Sequence, residues 1–262
     1  MKKLLLVLLL AITPHYAMSD EAITNTLDGF VSGSYGYQKF ETEYLDNSSP
    51  LKFKGPIYAG RVSVAFPLAN QFGMQIDVST GQEHFAGGGS PYTFDRELFD
   101  SAGHLFFRDP NQFLVGIVGQ YGKQVIAYDS GFDLPIKSYQ IGAEFEYYLN
   151  QSTLGLHLVH LTEKSNRDET GKGFRLGMDW KWFALENFVI APGFEYQSAE
   201  YDAPLGPVSD YRGQLWSLYS EYQISESPIS LFALAEYQSG KYQSCVDIKD
   251  DARRIMIGVK FV

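Results

Sequence analysis

YAGRVSVAFPLANQFGMQIDVS, residues Tyr58–Ser79, decides how the chain is read. Tyr58, Gly60, Val62, Val64 and Phe66 alternate with Ala59, Arg61, Ser63 and Ala65. Pro67, Leu68, Ala69, Asn70 and Gln71 then form a turn-prone cluster. Beyond it Phe72, Met74, Ile76 and Val78 alternate with Gly73, Gln75, Asp77 and Ser79. A period of two on both sides of such a cluster predicts a β-hairpin with one large apolar face and one small or charged face. A Phe stands at each foot of the turn. The device returns at Phe107–Phe113 and Phe183–Phe188.

Composition fits many short strands. The 262 residues include 18 Tyr, 19 Phe and 25 Gly, and aromatics make up 15% of the chain. The first residues read as a secretory signal peptide, 1–19. Lys2 and Lys3 precede the apolar run Leu4–Ile12, and Ala17-Met18-Ser19 is a small-x-small cleavage site. The run is too short for a transmembrane helix, which needs about 20 apolar residues. Loss of Lys2 and Lys3 takes the formal charge from −10 to −12. An acidic chain argues against nucleic acid as a partner. The one Cys, Cys245, has no partner for an internal disulfide, and its polar neighbourhood reads as a loop.

Residues 20–262 read as one domain. The first strand is expected over Leu27–Glu41, and the opening hairpin supplies the next two. Further strands are expected over Ala102–Arg108, Phe113–Gly122, Ser138–Leu149, Thr153–Leu161, Gly173–Phe183 and Phe188–Ser198. The last three are Gly213–Ile224, Ile229–Ser239 and Arg253 to the end. Short connections (Pro67–Gln71, Asp109–Gln112, Asn150–Gln151, Ala184–Asn187, Ser225–Pro228) alternate with long ones of roughly 10–18 residues. A soluble sandwich has no reason to sort its loops this way. An outer-membrane barrel does, with short periplasmic turns and longer outside loops.

The expected fold is therefore all-β: a transmembrane antiparallel up-and-down β-barrel of about twelve strands with both termini periplasmic. Phe66, Phe72, Phe107, Phe113, Tyr147, Trp182, Phe183 and Phe188 cluster beside the short turns, where a periplasmic aromatic girdle belongs. Slipping the Gly173–Phe183 strand by one residue would put Arg175 and Lys181 in lipid at about 2–4 kcal/mol each. That cost fixes its register. The competing reading is a soluble secreted sandwich with an aromatic core.

At the C-terminus Ile255, Ile257, Val259 and Phe261 alternate with Met256, Gly258 and Lys260. This closing strand resembles the assembly signal of Gram-negative outer-membrane β-barrel proteins, although Val262 follows the aromatic that usually ends the chain. The resemblance covers the leader, the strand rhythm and the last strand, at the level of architecture. It implies location in the outer membrane, export by the general secretory route and insertion by the barrel-assembly machinery. It also implies contact with outer-membrane lipid and lipopolysaccharide.

With apolar side chains facing lipid, the lumen is expected to be lined by Arg61, Asp77, His104, Glu144, Glu146, His157, Arg175, Asp179, Lys181, Glu195 and Arg254. Arg108 and Lys260 join them, as do Glu221 and Glu236 if the tenth and eleventh strands have the same phase. The mixed signs admit a transverse field in a water-filled pore, or ion pairs that close a narrow barrel. The inward Gly116, Gly142, Gly155, Gly177 and Gly193 favour open space. The expected function is a small porin-type channel passing small polar solutes, with no cofactor, no metal and no catalytic residue. Two alternatives stand beside it. One is a lipid or lipopolysaccharide hydrolase using Ser101/His104 or His157/His160 at the rim. The other is a surface-loop binding or adhesion barrel, whose Asp247, Asp250 and Asp251, or Asp168 and Glu169, hold cations without EF-hand spacing.

Overall fold

A computed structural model describes residues 27–44, 50–87, 93–129, 131–166, 169–202, 209–243 and 248–262. The expected leader, Cys245, Asp168 and Asp247 lie outside the described residues. Twelve strands follow in order: β1 (Asp28–Tyr44), β2 (Leu51–Ala69), β3 (Phe72–Gly87), β4 (Thr93–Asp109), β5 (Phe113–Tyr128) and β6 (Phe132–Leu149). The chain continues with β7 (Ser152–Ser165), β8 (Thr170–Leu185), β9 (Phe188–Asp202), β10 (Ser209–Gln223), β11 (Ile229–Gln243) and β12 (Ile248–Phe261). Each strand pairs antiparallel with its neighbours in sequence, and β1 pairs with β12 to close the ring. Closure removes every sheet edge and satisfies the backbone from within, as a lipid environment demands.

The side chains sort by the alternation of the strands. Tyr58, Val62, Ile76 and Val78 stand exposed on the outer wall, while Ser63, Gln75 and Asp77 are buried inside. Ile141 is 67% exposed and Trp180 47%, whereas Arg175 is 5% exposed. A water-soluble protein does not leave such a belt of large apolar side chains uncovered. On β4 the belt runs from Phe99 to Phe107 and on β6 from Tyr139 to Leu149. These lengths match the roughly 9–11 tilted residues that cross a hydrocarbon core.

The strands are longer than that, at 14 to 19 residues. The excess lies at the end opposite the short turns 70–71, 110–112, 150–151, 186–187 and 224–228. Most of the expected long loops are therefore strand. The stretch 123–135, expected as loop, pairs from Lys123↔Lys137 up to Tyr128↔Phe132, and Gly131 (φ 75°) helps the chain turn between them. Likewise β4 begins at Thr93 instead of Ala102.

The extensions were hidden by a change of polarity. Beyond the apolar belt, Lys39, Glu41, Lys52, Lys54, Asp95 and Glu97 face out. Phe40, Phe53, Phe85, Phe94, Ile126 and Leu134 pack inside. The belt half of the barrel is apolar outside and mixes charged groups with an apolar cluster (Ile57, Tyr219, Leu234, Met256) inside; the extended half has the arrangement of a soluble barrel.

Candidate functional site: the barrel interior

Among the described residues five ion-pair groups occupy the interior. In the first, an Arg61 nitrogen lies 3.1 Å from Asp77 Oδ1. His104 Nε2 lies 3.1 Å from Asp77 Oδ2, and His104 Nδ1 lies 2.9 Å from Glu144 Oε2. Gln75 donates to both oxygens of Asp77 at 3.2 and 3.0 Å. A ring with a carboxylate at each nitrogen can donate twice only as the imidazolium.

The second group contains Arg175, whose Nε is 3.1 Å from Glu195 and whose terminal nitrogen donates to Gln197 at 3.3 Å. His157 Nε2 reaches the other oxygen of Glu195 at 3.2 Å. The third group centres on Arg254, 3.1 Å from Glu83, 3.3 Å from Glu236, and 3.0 and 3.1 Å from Gln38 Oε1. Arg96 pairs with the same Glu83 and lies over the Phe85 ring. The fourth lies toward the short turns, where Lys260 meets Glu221 at 3.3 Å and Tyr219 donates to the same carboxylate at 2.6 Å. Lys181 and Glu146 form a further pair at 3.2 Å.

Glycines set these reaches. His157 on β7, Gly177 on β8 and Glu195 on β9 stand in register. A Cβ on Gly177 would fall 2.1 Å from the His157 ring, so the histidine lies across β8 to reach β9. Glu144 on β6 crosses Gly116 on β5 in the same way to reach His104 on β4. Asp179 lies over Gly155, and Val159 over Gly142. The expected link from inward glycine to open lumen fails at these four positions, because a neighbour's side chain fills each space.

Three levels result along the axis. At the short-turn end and middle, a cavity of about 270 Å³ is lined by residues of both signs, including Arg61, Asp77, His104, Glu144, Arg175 and Lys260. Above it Arg96, Glu83, Gln197 and Gln38 are 0–2% exposed. The extended end is filled by two aromatic clusters. Phe94 stacks on Phe85 at 4.6 Å and meets Phe53 edge-on at 5.2 Å, while Tyr211 and Tyr242 are 4.6 Å apart. Phe85 and Ile126 are 0% exposed. A wide water-filled pore would wet these inward faces, so the lumen is narrow at that level.

Every charged residue expected in the lumen is placed on the inner face. Glu221 and Glu236 are each 8% exposed, which assigns the phases of β10 and β11. The two signs interleave as pairs and do not segregate across the barrel. Among the turn-side aromatics, Phe72, Phe107, Phe113 and Phe145 form a chain of ring contacts at 5.4, 6.0 and 6.4 Å. Phe66, Tyr147, Trp182 and Phe188 share the outer wall with them. Phe183 does not: it pairs with Val189, which packs against an interior cluster, and so points away from the face of Trp182 beside the bulge at Phe183/Leu185. Ile255, Ile257, Val259 and Phe261 line the outer face of β12.

The candidate hydrolase pairs do not converge. Ser101 and His104 are three apart on β4, and His157 and His160 are three apart on β7, so each pair straddles the wall. Among the described residues no group of three or more His, Cys, Asp or Glu could hold a metal. The partners within the ion-pair groups and the aromatic layer are what sequence reasoning missed. The recurring Phe at 40, 53, 85 and 94, opposite charged neighbours, was their signal.

No protein-family model matches the chain, and no curated protein does. Solved structures do. The chain is similar to an outer membrane channel from Pseudomonas putida F1, with TM-score 0.64 and 11% identity over 89% of this chain and 95% of that one. The β domain of the Bordetella autotransporter Brka gives TM-score 0.54 at 9% identity, over 90% of this chain and 100% of that one. The translocator domain of the autotransporter NalP from Neisseria meningitidis gives TM-score 0.52 at 11% identity, over 90% and 88%. The likeness is one of fold: a closed antiparallel β-barrel like those of these outer-membrane proteins.

Proposed function

We propose that the protein is a narrow outer-membrane channel for small polar solutes, with its short turns toward the periplasm and its extended end toward the outside. The observation that carries the reading is the mixed-charge cavity of about 270 Å³ enclosed by a complete ring of strands. Paired charges of both signs offer a polar solute hydrogen bonds in place of water while holding no single ion tightly. A cavity of this size holds several waters, which suits a small polar solute. The aromatic layer at the extended end acts as the constriction, passing solute when its rings move apart. The fold shared with the Pseudomonas putida F1 channel supports this reading. The outward row of β12 serves the barrel-assembly machinery after export by the leader.

Single-channel recording of refolded protein in planar bilayers tests it. Wild type is expected to show small, brief openings. Phe85→Ala with Phe94→Ala is expected to raise both conductance and open time, because two rings that stack at 4.6 Å are removed from the constriction. Silence from both proteins at every voltage would overturn the reading and leave a closed barrel braced by its ion pairs.

A further inference from the structure

Just beyond the apolar belt the outer wall carries a row of lysines facing one another. Lys123 on β5 stands directly opposite Lys137 on β6, and Lys137 directly opposite Lys164 on β7. Lys172 on β8 lies diagonal to Lys164, since Lys164 pairs with Thr170 and Lys172 with Thr162. All four side chains are exposed. Directly opposed side chains start about 5 Å apart at Cβ, and like charges at that spacing repel.

Elsewhere on this charged collar some signs are matched, as in Lys52–Glu41 at 3.5 Å and Lys249–Asp251 at 2.9 Å, while Lys39 faces Lys54 and Arg253, and Lys241 faces Lys249 and Arg212. The acids nearest the row are Glu97, diagonal to Lys123, and Glu200, opposite Lys172. Among the described residues none of the four lysines forms an ion pair with either. One rung toward the membrane the row meets Tyr121 and Tyr139, whose rings are 5.5 Å apart. Ile141 and Leu158 continue the apolar wall below. Two residues of strand are about 7 Å, so the ammonium groups stand at headgroup depth while the wall beneath them meets acyl chains.

We propose that this row docks the phosphorylated headgroup of a glycolipid in the leaflet at the extended end. Lys123, Lys137 and Lys164 hold its phosphates, and Tyr139, Ile141 and Leu158 hold its acyl chains. A doubly phosphorylated headgroup supplies the negative charge that the row lacks, and basic clusters beside a bilayer bind anionic lipid in this way. The assignment rests on the outer-membrane reading above but not on the barrel's conducting solute.

The test is native mass spectrometry of refolded protein in neutral detergent. Wild type and K123Q/K137Q/K164Q are each titrated with diphosphoryl lipid A, with lipid A stripped of phosphate, and with inorganic phosphate as competitor. The triple variant is expected to bind diphosphoryl lipid A on the order of 100-fold more weakly, about fivefold per lysine. The two proteins should bind the stripped lipid alike, and inorganic phosphate at equal concentration should not displace the lipid. Without lipid, the triple variant should resist heat at least as well as wild type, because repulsion is relieved; with lipid A, wild type should gain more. Equal affinity of the two proteins, indifference to the phosphates, or displacement by free phosphate would each overturn the proposal. Single-channel recording of wild type separates the two readings: a silent wild type that still prefers diphosphoryl lipid A sinks the channel and spares the site.

Discussion

Arg254 offers a direct measure of how dry the middle of the barrel is. Its guanidinium joins Glu83 and Glu236 at 3.1 and 3.3 Å, and its side chain is 11% exposed. Glu83 also holds Arg96, so it keeps a cation when Arg254 is lost. Among the described ion pairs Glu236 meets no cation but Arg254, so Arg254→Met leaves its buried carboxylate unpaired. Removing one partner of a buried pair costs about 3–5 kcal/mol. Glu236→Leu alone should cost less, because Arg254 retains Glu83 and Gln38. Replacing both by residues of similar volume is often close to neutral. The double-mutant cycle R254M, E236L and R254M/E236L should therefore give a coupling of about 2–3 kcal/mol. Reversible urea unfolding in lipid vesicles, followed by tryptophan fluorescence, reads all four proteins. A coupling below about 0.5 kcal/mol would match a solvent-exposed pair. The level would then be wet, and the constriction drawn above it would be wrong.

Three further outcomes follow from the same geometry. Gly116→Val places a Cβ 2.7 Å from Glu144 Oε1 and 2.9 Å from Phe106 Cβ, so it should cost about 1–3 kcal/mol in the same unfolding assay, with part recovered by adding Glu144→Ala. Ile141→Arg, at a position 67% exposed on the belt, should cost about 2–4 kcal/mol in vesicles, whereas Lys137→Gln on the same strand should stay within about 0.5 kcal/mol. Lipids brominated along their acyl chains should quench the emission of Trp180, Trp182 and Trp216, all exposed on the outer wall; unquenched emission would contradict the orientation of the barrel wall.

The belt half of the fold was legible because two periodicities coincide there. Phe174, Leu176, Met178, Trp180 and Trp182 mark one face of β8, while Arg175 and Asp179 mark the other. The cost of placing charge in lipid leaves that pattern a single register. The extended half was not legible by the same rule. In Thr93–Phe99 the large residues Phe94 and Leu98 share a face with Arg96, and the opposite face holds Asp95 and Glu97. A reader expecting grease outside takes this for a polar loop. The inward charges could be assigned from phase alone, but their partners could not. The Glu144–His104 contact spans 40 positions and crosses an intervening strand. Only the register of three strands, with Gly116 in the middle one, makes that contact possible.

The polarity change also bears on how a barrel of this size can be narrow at one level and hold a cavity at another. Twelve strands enclose more room than single-residue layers fill, since about eight strands already give an interior that side chains can pack. Here the extended half closes its share with apolar and aromatic side chains clustered over β1 to β6 and over β9 to β12. In the belt half Glu144, Asp179 and His157 lie along the wall, each over a neighbour's glycine, and a cavity remains below the arginine level. Filling and emptying thus follow from side-chain direction more than from strand number. Small-to-large changes at Gly116, Gly155 or Gly177 should therefore push charged groups off the wall and into the cavity without touching the ring of strands.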